Sequence, residues 1–375
     1  MNILHITTYL QGGAGRIIND LAISQKTNGN NVIVVINDRE EIGYENYSEY
    51  INKLKENNIN VYRIDSTFKR DIYLNTNAAN ILNKIIVENN IDLIHAHAAV
   101  PSMVSMMAKS NIKKYIPVIQ TMHGWGTNKN ELHEKMDVSI LNMVEKVVCV
   151  SNADKALLIN KGVNKSKIIT IYNGIKENID ENLYNTEIIK AIKEFKENEK
   201  LLIGCIGSVC ERKNQRLIIE ALKFVENDDL KVVFLGEGNL INELIKISTS
   251  HNILNKIEFL GYVDRAYAYL KYFDYVILPS LSEGLPLTIL EAYRDGIPVL
   301  VSDIDCLKEI VEDNKNGFIF NKNNEKELAK LIDKIFELKK SEKYFELKNN
   351  NKDNFLKNFT IDKMYNSYIE IYKDV

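Results

Sequence analysis

The strongest constraint in this chain is a rhythm that runs twice. Short β-branched runs alternate with stretches of helical period, stop near the middle, and start again. That alternation is the mark of βαβ units and parallel sheets. The first series of strand candidates covers 3–7, 32–36, 60–64, 93–96, 118–122, 146–150 and 168–171, with helical patterns between them, as at 77–87 and 152–161. Residues 176–199 are polar and charged without a strand-like run, and read as a linker plus a helix. The second series covers 201–206, 231–235, 256–260, 275–278, 298–301 and 317–320, and a last helical pattern spans 355–372. The expected fold class is α/β: two Rossmann-like, doubly wound parallel-sheet domains facing across a cleft. Their expected bounds are 1–175 and 200–354, joined by the linker 176–199 and followed by a terminal helix in 355–375.

A length of 375 residues suits two domains with sizeable cores. Lys+Arg is 48 against Asp+Glu 51, a net charge of −3, which disfavours a general nucleic-acid binder. Residues 1–175 carry +3 and the remainder −6. No apolar run approaches the roughly 18 residues of a membrane-spanning helix. The opening Met1-Asn-Ile-Leu-His-Ile-Thr-Thr lacks the cationic start of a signal peptide. Cys149, Cys205, Cys210 and Cys306 form no CxxC pair, and no Cys/His pair matches the Cys205/Cys210 spacing. They are expected to be buried free thiols in a reducing, cytoplasmic setting, without structural zinc.

Ligands of doubly wound sheets bind at the carboxyl ends of the strands, so the loops after strands carry the chemistry. Gln11-Gly12-Gly13-Ala14-Gly15-Arg16 follows the first strand and precedes a helix, where glycines and a helix N-terminus favour an anion. It lacks both the GxGxxG spacing and a following GK[ST]; a plain tight turn is the alternative. The segment 275–293 is more informative. A strand ends at Leu278, a polar loop carries Glu283, and a helix begins near Pro286 with Glu291 in its second turn. N–H groups of Leu287 and Thr288 at that helix start can hold a phosphate, and a carboxylate further along can accept from both ribose hydroxyls. His95 and His97, alternate residues at a strand end, could form half a metal site, but no third ligand is evident in the sequence.

The segment Glu283-Gly284-Leu285-Pro-Leu287-Thr288-Ile-Leu-Glu291-Ala resembles the E-x7-E motif of the retaining glycosyltransferases of family 4, which have the GT-B fold. The resemblance covers nearly the whole chain: the Gly12–Gly15 loop, Thr121-Met-His123-Gly, Val150-Ser-Asn, Tyr172-Asn-Gly-Ile, Ile206-Gly-Ser-Val-Cys-Glu-Arg-Lys213-Asn, Phe234-Leu-Gly-Glu-Gly, Phe259-Leu-Gly-Tyr262-Val263 and Pro298-Val-Leu-Val-Ser-Asp fall in the family's order. It implies that Glu291 binds the donor ribose and Glu283 the hydroxyls of the transferred sugar. Gly13, Gly15, Gly284, Leu285, Leu287 and Thr288 would contribute to the donor site, and the backbone of Tyr262 and Val263 would meet the base. His123 would face the donor sugar, and Lys213 would neutralise the leaving diphosphate. Where the family commonly has an arginine after the glycine of this domain's first strand, this chain has Ser208; Arg212 is expected to supply the second positive charge. The resemblance also implies a same-face mechanism in which the leaving phosphate helps to deprotonate the acceptor. The final helix would cross back to the first domain.

Asp303-Ile-Asp305 after an apolar run resembles the metal site of the other large glycosyltransferase fold, yet it lies downstream of Glu291 and reads as loop structure. No metal and no cofactor are expected, the nucleotide sugar being a substrate. The expected reaction moves a hexose or N-acetylhexosamine from a UDP-sugar (GDP-sugar second) to a glycan or lipid-linked glycan in cell-surface polysaccharide synthesis. A nucleotide-sugar epimerase of the same fold and a non-catalytic glycan-binding subunit are the alternatives. Met103, Met106, Met107 and Lys109/Lys113/Lys114 would suit peripheral contact with anionic lipid on the inner membrane face; an ordinary helix with methionines in the core is the favoured account.

Overall fold

Every run read as a strand is one, to within a residue at either end, in the computed structural model, which describes residues 1–41, 43–126, 129–179, 185–196 and 201–375. The first sheet contains β1 (Asn2–Ile6), β2 (Asn31–Asn37), β3 (Asn60–Ile64), β4 (Leu93–Ala96), β5 (Val118–Met122), β6 (Lys146–Cys149) and β7 (Ile168–Thr170), in the order β3-β2-β1-β4-β5-β6-β7. The second contains β8 (Leu201–Ile206), β9 (Leu230–Leu235), β10 (Ile257–Phe259), β11 (Tyr275–Leu278), β12 (Val299–Ser302) and β13 (Gly317–Phe320), in the order β10-β9-β8-β11-β12-β13. All pairings within both sheets are parallel. Central strands such as β4, β8 and β11 are buried at every position, as expected when helices cover both faces. Each fully buried aliphatic side chain there contributes roughly 1.5–3 kcal/mol. Strand order reverses between β1 and β4 and again between β8 and β11. These are the switch points at which doubly wound sheets hold ligands.

The chain divides into a first unit, Met1–Ile175 with Thr360–Val375, and a second, Lys176–Phe359. Two expectations change here. The pattern over 355–372 is not one helix: Glu342–Asn358 ends in the second unit and Ile361–Lys373 belongs to the first. The break has a local cause. Thr360 accepts a hydrogen bond from the Lys363 N–H as a helix cap, and the Ile361 N–H donates to the Ile175 carbonyl at 2.9 Å. The boundary therefore falls at Thr360 and not at 355. At the other boundary the second unit begins at Lys176 and not at 200, and the helix read in 176–199 is Thr186–Lys196; residues 180–184 and 197–200 lie outside the described residues. The helix expected at 77–87 starts five residues earlier, at Ile72, because Asp71 caps it through the Leu74 N–H.

Met103, Met106 and Met107 pack against the core of the first unit. Lys109 pairs with Glu145 at 2.9 Å and Lys114 with Asp92 at 2.5 Å. The helix Ala99–Lys109 thus has the ordinary core-and-solvent arrangement of a βαβ crossover. Among the described residues no helix is long and apolar enough to cross a membrane.

Candidate active site

In the second unit, the loops after β8 and β11 flank the switch point and meet in an ionic cluster. Lys213 ends a 3₁₀ turn (Glu211–Lys213) that runs into the helix Gln215–Leu222. Its Nζ lies 2.7 Å from Glu283 Oε1, while an Arg212 guanidinium nitrogen lies 3.0 Å from Oε2 and donates to the Ser282 carbonyl at 2.9 Å. The Glu283 side chain is only 8% exposed. Burial pushes its carboxyl up, but Lys213 and Arg212 outweigh that and hold it below the ordinary value. Two cations against one carboxylate leave the cluster net positive. Backbone contacts hold these loops close: the Leu281 N–H donates to the Arg212 carbonyl at 2.8 Å, and the loop after β9 packs in beside them, where a Cβ on Gly238 would sit 1.9 Å from the Val209 carbonyl oxygen, so only glycine fits.

The helix Leu287–Arg294 follows at once, with Pro286 as its N-cap. Leu287 and Thr288 are its first two residues, whose N–H groups have no intrahelical acceptor. Gly284 and Leu285 link this end to Glu283. Glu291, one turn further on, is 4% exposed. On the neighbouring loop the Tyr262 side chain is 65% exposed and Val263 is buried. The structure thus gathers Arg212, Lys213 and Glu283 directly, with Gly284, Leu285, Leu287 and Thr288 continuous with them. Asp303 accepts from the Lys322 N–H at 3.1 Å, and the exposed Asp305 pairs with Lys308 at 2.9 Å. Three cysteines are buried free thiols as expected, but Cys210 is partly exposed because it lies in the loop leading to Lys213.

The switch point of the first unit is different. His5 on β1 lies in register with His95 on β4, and His97 and His123 follow at the ends of β4 and β5. His5 Nε2 bonds Gln25 Oε1 (2.7 Å), His5 Nδ1 bonds His97 Nε2 (2.9 Å), and His97 Nδ1 bonds His123 Nε2 (3.1 Å). His95 bonds Tyr372 through Nδ1 (2.6 Å) and Thr121 through Nε2 (2.7 Å). Burial lowers His5 and His123 to about 4, the Gln25 bond opposing this at His5, and puts His95 and His97 well below the ordinary value. The third imidazole that the sequence did not reveal beside His95 and His97 is His5. All six ring nitrogens of this trio have hydrogen-bond partners. Near the expected glycine loop, Gly13 is exposed in the first turn of the helix Gly12–Thr27. Gly15 instead faces inward, where a Cβ would lie 2.7 Å from the Leu10 carbonyl carbon and 3.2 Å from the Tyr50 ring; its smallness serves packing.

The family described as Glycosyltransferase Family 4 matches residues 11–178, and that described as Glycosyl transferases group 1 matches residues 185–353. An uncharacterized glycosyltransferase of Methanocaldococcus jannaschii is 30% identical over 306 residues, 80% of this chain and 79% of its own. This chain belongs to glycosyltransferase family 4. A second relative, the UDP-Gal:alpha-D-GlcNAc-diphosphoundecaprenol alpha-1,3-galactosyltransferase of Escherichia coli, is 27% identical over 256 residues, 65% of this chain and 66% of that enzyme. Among solved structures, HepE of Anabaena in complex with UDP matches with a TM-score of 0.83 at 19% identity, covering 100% of both chains. That likeness shows the fold, the two doubly wound sheets of GT-B. For this family 4 chain, the polar residues that sequence reasoning missed are Gln25, His5, Tyr368 and Tyr372. No motif marks them, since their partners come from other elements: the Tyr368 hydroxyl, for example, meets that of Thr121 at 2.9 Å.

Proposed function

We propose that this family 4 glycosyltransferase moves a hexose or N-acetylhexosamine from a nucleotide sugar to a glycan or lipid-linked glycan acceptor, with retention at the anomeric carbon, in cell-surface polysaccharide synthesis. A UDP-sugar is the first choice of donor and a GDP-sugar the second. The Lys213–Glu283–Arg212 cluster carries this reading. In the free chain Glu283 holds both cations. An incoming diphosphate, with more negative charge than one carboxylate, takes over Lys213 and Arg212 and adds the N–H groups of Leu287 and Thr288. Glu283 is then released to accept hydrogen bonds from the hydroxyls of the transferred sugar, and Glu291 binds the ribose. Arg212 fills the role of the arginine replaced by Ser208. The backbone of Tyr262 and Val263 meets the base, Gly13 and Gly15 lie on the phosphate side of the first unit, and His123 faces the donor sugar.

In the reaction the bond from the anomeric carbon to the leaving phosphate oxygen breaks, and the acceptor oxygen bonds the same face. The acceptor proton passes to the leaving phosphate. Lys213, Arg212 and the helix-end N–H groups stabilise the charge growing on that oxygen, so no metal ion is needed. The named activity of the Escherichia coli relative, with a UDP donor and a diphosphoundecaprenol-linked acceptor, supports this choice of donor and acceptor classes.

The test is incubation of the chain with UDP-glucose, UDP-N-acetylglucosamine or GDP-mannose alone, followed by addition of a lipid-linked acceptor. Slow release of nucleoside diphosphate, then transfer with the donor's anomeric configuration kept, is the expected result. An isomerised donor would assign an epimerase instead, an unchanged one a glycan-binding subunit, and an inverted product would overturn retention.

A further inference from the structure

The imidazole chain of the first unit has a direction. Gln25 turns its carboxamide oxygen towards His5 and its nitrogen towards Tyr372. An amide oxygen only accepts, so the proton of His5 sits on Nε2. A neutral imidazole carries one N–H, which leaves His5 Nδ1 as an acceptor. His97 must then donate from Nε2, leaving its own Nδ1 to accept from His123 Nε2. The last nitrogen, Nδ1 of His123, is left with its lone pair and has no protein partner among the described residues. The other branch runs from the same amide: Gln25 Nε2 donates to the Tyr372 hydroxyl at 3.1 Å, Tyr372 donates to His95 Nδ1, and His95 Nε2 donates to Thr121.

We propose that Gln25, acting through His5 and His97, is a positioning residue that holds His123 in the Nε2–H tautomer, so that the nitrogen offered to a ligand is an acceptor-only Nδ1. This rests on the reading that His123 faces the donor sugar. The consequence is selectivity. An acceptor-only nitrogen takes a hydrogen bond from a sugar hydroxyl or an acetamido N–H. Against a carboxylate it sets lone pair to lone pair. Neutral hexoses and N-acetylhexosamines are therefore preferred over uronic acids at this position. Burial, which keeps every ring in the chain neutral at neutral pH, is what makes the direction well defined: a doubly protonated ring would turn an N–H onto its neighbour's N–H.

The test uses the full chain labelled with 15N-histidine, whose six histidines give a readable long-range proton–nitrogen spectrum. In the wild type His123 is expected to carry its proton on Nε2 and none on Nδ1. Gln25→Met keeps the bulk and removes the acceptor. An N–H on His5 Nε2 would then be buried without a partner, so the chain reverses and His123 gains its proton on Nδ1. In that variant the kcat/KM preference for UDP-glucose over UDP-glucuronate falls by roughly tenfold, the equivalent of one net hydrogen bond. A protonated Nδ1 on His123 in the wild type, or an unchanged His123 in Gln25→Met, overturns the proposal. If Gln25→Met folds poorly, the wild-type spectrum decides alone. A reversal of tautomer that leaves donor preference unmoved overturns the donor contact of His123, while the positioning by Gln25 stands. Those two failures are thereby told apart.

Discussion

The two units of this chain repeat one strand order and open a switch point at the same place, yet they fill it differently. In the first unit His5 and His95 stand on β1 and β4 themselves, at buried positions, with His97 and His123 just past the ends of β4 and β5. Charge is costly there, and the solution is a set of neutral imidazoles joined by hydrogen bonds. In the second unit the polar groups stand on loops and turns beyond β8 and β11, where Lys213 and Arg212 keep partial access to water. Charge survives there because Glu283 balances part of it. A neutral network fixes geometry, since every bond depends on its neighbours. An ionic cluster can trade one partner for another. The same topology thus carries a neutral hydrogen-bonded network in one unit and an ionic cluster in the other.

The contrast breaks most decisively at Lys213. Lys213→Ala is expected to lower kcat for sugar transfer by about 10²–10³-fold, comparable with loss of one oxyanion-stabilising donor. Near-normal steady-state rates would remove this cluster from the mechanism. Arg212→Ala, with the more exposed side chain, should lose less.

Acid is the next test, and it should act on the first unit. Unfolded imidazoles bind a proton below about pH 6.5, whereas folded His5 and His123 do so only near 4. Stability contributed by these neutral rings is therefore complete above pH 6.5 and drains away as pH falls towards 4. His5 alone is worth on the order of 2–3 kcal/mol by that point. Hydrogen exchange between pH 7 and 4.5 should show β1 and β4 losing protection before β8 and β11. Equal loss in both sheets would contradict the contrast.

A smaller effect is expected from Tyr372→Phe, which leaves Gln25 and His95 each short of a partner. The cost should be about 1–3 kcal/mol, visible as a Tm drop of several degrees at pH 8. The smallest expected effect is that of EDTA, which should leave turnover unchanged. Loss of activity restored by manganese would instead bring Asp303 and Asp305 into the chemistry.

Much of the fold could be read from local pattern. The inner strands are continuous runs of mostly apolar residues because they are buried on both faces, and burial of that kind leaves a clear trace; the edge strands β3, β7 and β10 are only partly buried. The break at Thr360 left none, since the cap is reinforced by Ile175, far away in sequence. The candidate site residues of the second unit, Glu283 and Lys213 among them, were singled out by their place in a motif after a strand, and not by either side chain alone. That Glu283 holds both cations could not be read, because the two loops are 70 positions apart and are brought side by side by the β8–β11 pairing. His5 was hidden for the same reason: its partnership with His95 depends on a crossover register. The small size of Gly15 also answers to Leu10 and Tyr50, a packing demand that local pattern did not show.

Tyr372 reaches His95 across 277 positions, and the whole second unit lies between them. During synthesis the ribosome therefore releases every residue of the second unit before it releases the helix that closes the first. Until then His95 lacks its Tyr372 partner, and Gln25 lacks one of the groups that orient its amide. The unit that starts first is the one completed last.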